Sequence, residues 1–251
     1  MVTAIFRFYG ELGDFLAPAR RQQAFASPCA QAATAKHMIE ALGVPHTEVE
    51  LVLVNGEPSR FDHLLADGDR VAVYPRFATL DLGALPQLRQ PAPRRFVADA
   101  HLGGLARLLR MAGFDTLYDN DFGDDEIARI ASDDGRLVLT RDRELLKRRN
   151  IEHGRYVHAL RPAAQLVEVV DRLGLAPGAT PFTLCLHCNA ALRGVDKTAV
   201  LEQLPPMVRE LHEEFRTCDV CHRVYWKGSH WRRMRALLET SLGDAEPEDD
   251  V

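Results

Sequence analysis

The chain has 251 residues, which is enough for two domains and a small additional module. Its formal net charge is −5, so overall basicity gives no argument for a nucleic-acid partner. No apolar run approaches the roughly 20 residues of a membrane-spanning helix, and no export signal is recognisable. We therefore expect a cytoplasmic protein with no membrane partner, and we expect the acidic segment 243–251 to be disordered.

Residues 1–77 have the pattern of a small β-grasp domain. TAIFRFYG alternates like a strand, Thr34 can cap a helix over Ala35–Leu42, and Asn55–Gly56 marks a tight turn. Later strands are predicted at Leu51–Val54 and Arg70–Tyr74. The predicted order of two strands, a helix and two strands is typical of the ubiquitin-like fold.

Three stretches in this region, KHMIEALGVP, LVLVNG and DGDRVAVYP, resemble the sulfur-carrier and molybdopterin-synthase small-subunit branch of that fold. The resemblance implies chemistry at a free C-terminal Gly-Gly, whereas here the last strand continues into further sequence. The segment is therefore interpreted as a binding or docking module for a protein partner. The proline-rich segment 78–95 is predicted to be a linker, whose arginines are either solvated or in contact with phosphates.

Acidic residues follow several short apolar runs in the central part of the chain. Asp99 comes after the first run, Asp124 and Asp125 open an amphipathic segment, and Asp142 follows the run Leu137–Thr140. Alternating strands and helices predict a parallel α/β sheet, and ligands bind at the carboxyl ends of such strands. Converging carboxylates there indicate a divalent metal. The alternative is that these acids only cap helices.

Two helices and one strand are also predicted around these acids. Gly103 and Gly104 lie near the start of the first helix, where they weaken it, which indicates close backbone approach either to the sheet or to a ligand. Tyr156–Leu160 is predicted to be a strand, and Pro162–Leu173 the helix that follows it.

The motifs DAHLGGLARLLRMAGFDTLY, DDEIARIA and LVLTRDRELLKRR resemble the PIN-like nucleases, and more narrowly the Mut-seven C-terminal ribonuclease family. The resemblance implies a metal-dependent ribonuclease that uses Mg²⁺ or Mn²⁺. It assigns the catalytic acids by position: Asp99, Asp124 or Asp125, Asp142, and Glu144 in place of a further acid. Three arginines could position the RNA backbone or be ordinary surface charges: Arg107, Arg141 and Arg143.

Two Cys-x-x-Cys pairs give the sharpest local signal in the C-terminal part. Cys185 with Cys188, and Cys218 with Cys221, provide four thiolates for a closed structural Zn²⁺ site. Four nearby histidines are alternative ligands: His187, His212, His222 and His230. The other interpretation of the cysteine pairs is a disulfide or a redox pair. Asn189 and His222 follow the two pairs, and both residue types tolerate a left-handed backbone. Cys29 stands apart and is predicted to be a buried free thiol.

Aromatic and basic residues alternate in RVYWKGSHWRRMR, after the second cysteine pair. Such side chains can stack on bases and bind phosphates, or they can pack a zinc module against its neighbour. The candidates for nucleic-acid binding are Tyr225, Trp226, Lys227, Trp231 and Arg232.

The predicted architecture is α/β, with a ubiquitin-like β-grasp domain, a PIN-like parallel α/β domain and a four-cysteine zinc ribbon. The predicted boundaries are 1–77, 78–95 (linker), 96–176, 177–242 and 243–251 (acidic tail). The leading hypothesis is a ribonuclease acting on single-stranded or structured small RNA. The rival is a non-catalytic RNA-binding or scaffold protein, and the two differ in whether the acids converge.

Overall fold

The computed structural model describes residues 2–76 and 92–242. Most of the predicted linker and the whole predicted acidic tail lie outside these residues. Within the described part of the chain, no helix is both long and apolar enough to cross a membrane.

Strands and helices alternate along the chain. The strands are β1 (Val2–Phe8), β2 (Phe25–Cys29), β3 (Val49–Val54), β4 (Glu57–Ser59), β5 (Arg70–Pro75), β6 (Phe96–Ala98), β7 (Thr116–Leu117), β8 (Leu137–Thr140), β9 (Gly154–Tyr156), β10 (Leu192–Val195), β11 (Phe215–Cys218) and β12 (Val224–Trp226). The helices are α1 (Ala35–Ala41), α2 (Gly103–Met111), α3 (Asp124–Asp134), α4 (Arg143–Leu146), α5 (Pro162–Leu173), α6 (Lys197–Val200), α7 (Pro206–Leu211) and α8 (Ser229–Leu242).

The described residues group into two compact units that the chain enters alternately. The first unit takes the residues of Met1–Pro93 and Asp124–Tyr156, and the second takes those of Arg94–Gly123 and Val157–Val251. The boundary therefore falls inside the segment 96–176, and the domain limits deduced from sequence stay a prediction.

The N-terminal part of the first unit is a five-stranded sheet in the order β2-β1-β5-β3-β4. β1 and β5 run parallel, and their neighbours pair antiparallel. Alternate residues of β1, such as Phe6 and Phe8, are buried against α1, because successive strand side chains point to opposite faces. The predicted β-grasp fold and mixed α/β class are confirmed, but the predicted order lacked one strand, the short β4 that follows the turn at Asn55–Gly56.

Local capping and turn signals act as the sequence indicates. The Thr34 hydroxyl accepts a hydrogen bond from the amide of His37 at 3.2 Å, which caps α1. Asn55 and Gly56 have φ angles of +53° and +91°, as a tight hairpin turn between β3 and β4 requires. Cys29 is buried and free, as predicted.

The second part of the first unit contains α3, α4 and the parallel pair β8–β9. Val138 is in register with Gly154, and Thr140 with Tyr156. The predicted strand Tyr156–Leu160 was wrong, because the strand ends at Tyr156. The next amides, those of His158 and Ala159, donate to the Glu168 carboxylate instead of to a neighbouring strand.

In the second unit, β6 and β7 form a parallel pair, and α2 buries its apolar face. The predicted close approach at the two glycines is confirmed. A Cβ atom at Gly103 would lie 2.5 Å from the Tyr118 hydroxyl, and one at Gly104 would lie 2.6 Å from Cγ of Pro162. The helix start therefore packs against its neighbours through bare backbone.

The C-terminal module of this unit is a three-stranded antiparallel sheet in the order β10-β11-β12. Its small core consists of Val200, Leu204 and Phe215, with Trp226 packed against it. The strand β10 and the short helices α6 and α7 carry no strong sequence signal. α8 follows and packs against α5.

Candidate functional site

Two of the predicted catalytic acids in the first unit contact one arginine, Arg148, and the charge of a third acts on it. Asp124 and Asp125 begin α3, and their side chains are 49% and 97% exposed. The Arg148 guanidinium donates a hydrogen bond to Asp125 and lies 3.6 Å from an oxygen of Asp124. The hydrogen bond with Asp125, together with the charges of Asp125, Asp124 and Asp142, raises the pKa of Arg148. Asp124 and Asp125 thus share a cation.

Asp142 is the N-cap residue of α4. Its Oδ1 atom accepts a hydrogen bond from the amide of Glu144 at 2.7 Å, and its own amide donates to the Thr140 hydroxyl at 2.9 Å. The capping role considered from sequence is therefore present. A carboxylate has a second oxygen, so a capped aspartate still has acceptor capacity for a cation.

The remaining predicted acids differ in exposure. Asp99 directly follows β6 in the second unit and is 8% exposed. Glu144 is an exposed residue of α4, where its carboxylate lies 2.6 Å from the ammonium of Lys147. Asp99 is therefore a buried acid, whereas Glu144 lies on the surface.

Arg143 contacts the ubiquitin-like part of the first unit. Its guanidinium lies over the rings of Phe15 and Tyr156, with 5.1 and 5.6 Å to the ring centroids. It also donates a hydrogen bond to the carbonyl of Phe15 at 3.3 Å. Arg141 is exposed on the same loop. These contacts give Arg143 a structural role beside Asp142.

The four cysteines predicted to bind metal come together in the second unit. Among the described residues they form a set of potential ligands whose sulfur atoms all lie within 4.8 Å of one another. Sγ of Cys185 lies 3.5 Å from Sγ of Cys221, and Cys188 lies 3.4 Å from Cys218. A disulfide would need about 2.05 Å, whereas thiolates around tetrahedral zinc lie about 3.8 Å apart. The cluster could hold a metal ion such as zinc.

The two cysteine turns have the same backbone form. Asn189 and His222 have φ angles of +68° and +58°, as anticipated from their positions after each pair. Burial raises the pKa of Cys185, but hydrogen bonds from the Tyr225 hydroxyl and from the amides of Cys188 and His187 outweigh it and lower the pKa to about 6. The site therefore favours a thiolate at Cys185, which is the form that binds metal.

Arg110 and Asn189 connect the first cysteine turn to α2 and β7. The buried Arg110 guanidinium donates to the carbonyls of Thr116 and His187 at 2.8 and 2.7 Å. The side-chain oxygen of Asn189 accepts a hydrogen bond from the backbone amide of Thr116 at 3.0 Å. Its side-chain nitrogen donates one to the Asp115 carboxylate at 2.5 Å. Burial lowers the pKa of Arg110, and the charges of Cys185 and Cys188 act in the opposite direction.

A cavity of about 590 Å³ lies beside these residues, within the second unit. Its walls come from α2, from the cysteine turns and from β12. They include three arginines, two histidines and three aromatic residues: Arg107, Arg110, Arg223, His187, His222, Tyr118, Tyr225 and Trp226. A second cavity, of about 1170 Å³, lies between the ribbon sheet and α8.

Residues 94–238 match the family model of the Mut7-C RNAse domain, and residues 1–81 match that of the Mut7-C ubiquitin domain. The chain belongs to the Mut7-C RNAse domain family. No curated protein matches it. Two structures of small archaeal modifier protein 1 from Haloferax volcanii are similar to part of it. The first is 18% identical with a TM-score of 0.26, and the match covers 31% of this chain and 100% of the modifier protein's chain. The second is 19% identical with a TM-score of 0.25, and the match covers 30% of this chain and 97% of the modifier protein's chain.

Within this Mut7-C protein, the residues predicted to bind nucleic acid divide between two places. Arg107 lines the smaller cavity, Lys227 and Trp231 line the larger one, and Tyr225 and Trp226 line both. Trp231 packs on Phe182 with 5.2 Å between ring centroids, and Arg232 is exposed on α8. The packing interpretation therefore applies to Trp231.

The sequence analysis did not predict the roles of Arg110 and Arg148. It also did not predict that the Asn189 side chain forms a hydrogen bond with the backbone of β7. The available signal for Arg110 was a charged residue inside the apolar run Leu108–Ala112 of the Mut7-C domain. Such a residue is buried only when its donors find acceptors. Arg148 carried no signal, because it is one of several basic residues in succession.

Proposed function

We propose that this Mut7-C protein is a PIN-like, metal-dependent ribonuclease that hydrolyses phosphodiester bonds of RNA. The observation that carries the proposal is the match of residues 94–238 to the Mut7-C RNAse domain, which supports a nuclease-like function. Asp99, Asp124, Asp125, Asp142 and Glu144 are proposed as the acids of the active site.

The donor chemistry of these acids fits a hard divalent cation. Carboxylate oxygens are the ligands that Mg²⁺ prefers, and Mn²⁺ uses the same class. In the first unit, Asp124 and Asp125 share the guanidinium of Arg148, and the charge of Asp142 also acts on it, so this region attracts a cation. A bound Mg²⁺ or Mn²⁺ would activate a water molecule and offset the negative charge of the phosphate.

The chain's own residues have separate tasks in this proposal. The Glu144 amide fixes one oxygen of Asp142, so its second oxygen is held in a defined direction. The Arg148 side chain is 35% exposed, so it can exchange a carboxylate for a substrate phosphate. Arg141 is exposed on the adjacent loop and is proposed to contact the RNA backbone.

The four-cysteine cluster is proposed to hold one structural Zn²⁺. Four sulfur donors close the site and leave no position for substrate, which distinguishes it from catalytic zinc. Tyr225, Trp226 and Lys227 of the ribbon, together with Arg232 of α8, are proposed to contribute to RNA binding, whereas Trp231 packs on Phe182. Metal analysis of the purified protein should give about one zinc per chain.

The substrate class is tested with end-labelled single-stranded RNA and the DNA of the same sequence. Cleavage of RNA that depends on added Mg²⁺ or Mn²⁺ is the expected result. Equal cleavage of DNA would reassign the substrate class, and cleavage without divalent ions would contradict metal dependence.

A second candidate is a non-catalytic RNA-binding or scaffold protein. One observation favours it: Asp142 caps α4, and Asp124 and Asp125 have Arg148 as a partner. These acids would then serve the fold alone. RNA that is bound but stays intact with both Mg²⁺ and Mn²⁺ would select this candidate.

A further inference from the structure

We infer that the 590 Å³ cavity between α2 and the cysteine turns binds one nucleotide of single-stranded RNA, with the phosphate on Arg107 and Arg223 and the base against Trp226. This inference rests on the proposed function, because it names the place where the ribonuclease holds its substrate. The cavity lies wholly within the second unit.

The charge of the cavity is opposite to that of the whole protein. Among the described residues, its lining includes three arginines and two histidines and no aspartate or glutamate, whereas the chain has a net charge of −5. Arg107 and Arg223 are exposed, and neither has a carboxylate partner in the part of the chain that the structure describes. Two surface cations of the same module are paired: Lys197 lies 2.6 Å from Glu213, and Lys227 lies 2.7 Å from Glu214. The two cavity arginines are therefore available for phosphate.

The floor of the cavity carries a further fixed positive charge. Arg110 is buried, and its hydrogen bonds go to the carbonyls of Thr116, Leu186 and His187. Hydrogen bonds to neutral carbonyls orient this guanidinium, and the charges of Cys185, Cys188 and Asp115 also act on it. In a partly desolvated cavity such a charge attracts an anion more strongly than it would in bulk water.

The aromatic rings of the cavity are held in place by their polar ends. The Tyr118 hydroxyl donates to the carbonyl of Ala100 at 3.1 Å, and the Tyr225 hydroxyl lies 3.2 Å from Sγ of Cys185. Trp226 is half-buried in the ribbon core. Fixed aromatic faces stack on bases of any sequence, which is how single strands are bound without sequence preference.

The volume also suits a nucleotide. Small-molecule sites fall within about 300–1,000 Å³, and 590 Å³ is well inside that range. Gly103 lines the cavity, and a Cβ atom there would lie 2.5 Å from the Tyr118 hydroxyl. A larger residue would displace the tyrosine that forms this wall.

The test measures binding of a fluorescein-labelled single-stranded RNA without added divalent ions, with gels showing that it stays intact. Arg107→Ala and Arg223→Ala should each weaken binding about tenfold, as expected for loss of one charge-assisted contact. Each should also reduce the slope of log K against log salt by about 0.7, the value for one phosphate on a single strand. Arg107→Lys should keep the slope.

Arg235→Ala is the matched control. Arg235 is an exposed arginine of the same unit, outside the cavity lining, and pairs with Glu239 at 2.7 Å. Its removal changes the net charge equally and should leave affinity and slope unchanged. Melting curves and zinc content show that each variant keeps its fold.

Tryptophan fluorescence is a second readout, and it detects stacking of the RNA base on Trp226. The chain has two tryptophans, so a Trp231→Phe background reports Trp226 alone. RNA should quench this emission, and adding Arg107→Ala should shift the quenching to about tenfold higher RNA concentration.

Wild-type affinity and salt slope in both arginine variants would overturn the inference, as would the absence of Trp226 quenching. RNA cleavage by the wild-type protein in that case would leave the ribonuclease proposal standing. If the wild type neither binds nor cleaves RNA, both fall.

Discussion

Arg148 is the residue whose surroundings say most about the proposed active site. It is a monovalent cation in contact with Asp124 and Asp125, and the charge of Asp142 also acts on it. A divalent ion that prefers carboxylates would compete with it for the same oxygens. The arginine therefore offsets repulsion between the acids when metal is absent.

Arg148→Met makes this role measurable. The variant should melt at a lower temperature than wild type without divalent ions, because the acids lose their cation. Added Mn²⁺ should raise its melting temperature more than that of wild type, since binding to the folded state stabilises it. Arg129→Met is the control, because Arg129 also pairs with two acids, Glu126 and Asp133. Equal Mn²⁺ shifts in both variants would contradict the assignment.

Glu168 gives a residue-scale prediction about pH. Burial raises its pKa, but hydrogen bonds from His158 and Ala159 outweigh burial and hold the pKa below its ordinary value of 4.5. A lowered folded-state pKa means that the stabilisation is complete above pH 4.5 and is lost as the pH falls through the folded-state value.

Glu168→Ala should therefore lower the free energy of unfolding at about pH 7 by roughly 1–3 kcal/mol, because two backbone amides lose their acceptor. The difference from wild type should shrink toward about pH 3. Urea denaturation at both pH values measures it, with the exposed Glu210→Ala as control. A difference that does not change with pH would exclude the carboxylate as the cause.

At the scale of elements, the first cysteine turn is part of the same hydrogen-bonded structure as α2 and β7. Arg110 and Asn189 make these connections, and both reach Thr116. The metal cluster should therefore stabilise more than its own ribbon, since binding free energy of a structural metal is folding free energy.

Chelation of the bound metal tests this coupling. Hydrogen exchange should increase first in the ribbon around Cys185 and Cys218, and then at Thr116, whose amide is bound by Asn189. The sheet of β1–β5 should keep its protection, because it belongs to the other unit. Loss confined to the ribbon, with Thr116 unaffected, would show that the connection does not transmit stability.

Sequence predicted the elements whose cause is local. Thr34 caps α1 and Asn189 adopts a left-handed backbone because their own side chains favour those conformations. The strand predicted at Tyr156–Leu160 failed because its end is decided by Glu168, a residue further along the chain. The four cysteines of the candidate site were predictable from spacing, but Arg110 was not, because its partners are backbone carbonyls of distant segments.

At the scale of the whole molecule, the ubiquitin-like part does not form a separate compact unit. It belongs to one unit with the segment that bears Asp124 and Asp142. Arg155 donates to the carbonyl of Thr47, and the amide of Tyr156 donates to the buried Glu48. The ubiquitin-like part therefore packs on β9 within the first unit, and a protein partner for it stays a prediction.

Glu48→Ala tests this internal docking. Removing the carboxylate leaves the Tyr156 amide without its acceptor, so the free energy of unfolding should fall by roughly 1–3 kcal/mol. Glu57→Ala, at an exposed position of β4, should change it little. Urea denaturation of both variants measures the difference in the free energy of unfolding. Equal effects would show that the Glu48 carboxylate does not stabilise this contact.

We propose that Asp99 and Asp142 serve metal-dependent cleavage of RNA. Asn caps helices as well as Asp does, so Asp142→Asn should keep α4 and the fold. Exposed Asp133, which pairs with Arg129, provides the control Asp133→Asn.

A gel of end-labelled single-stranded RNA with Mn²⁺ is the most direct measurement. We expect cleavage by wild type and by Asp133→Asn. Cleavage by Asp99→Asn and by Asp142→Asn should fall by at least about a hundredfold, because several kcal/mol of charge stabilisation is lost. Cleavage by both of these variants at the wild-type rate would contradict the account.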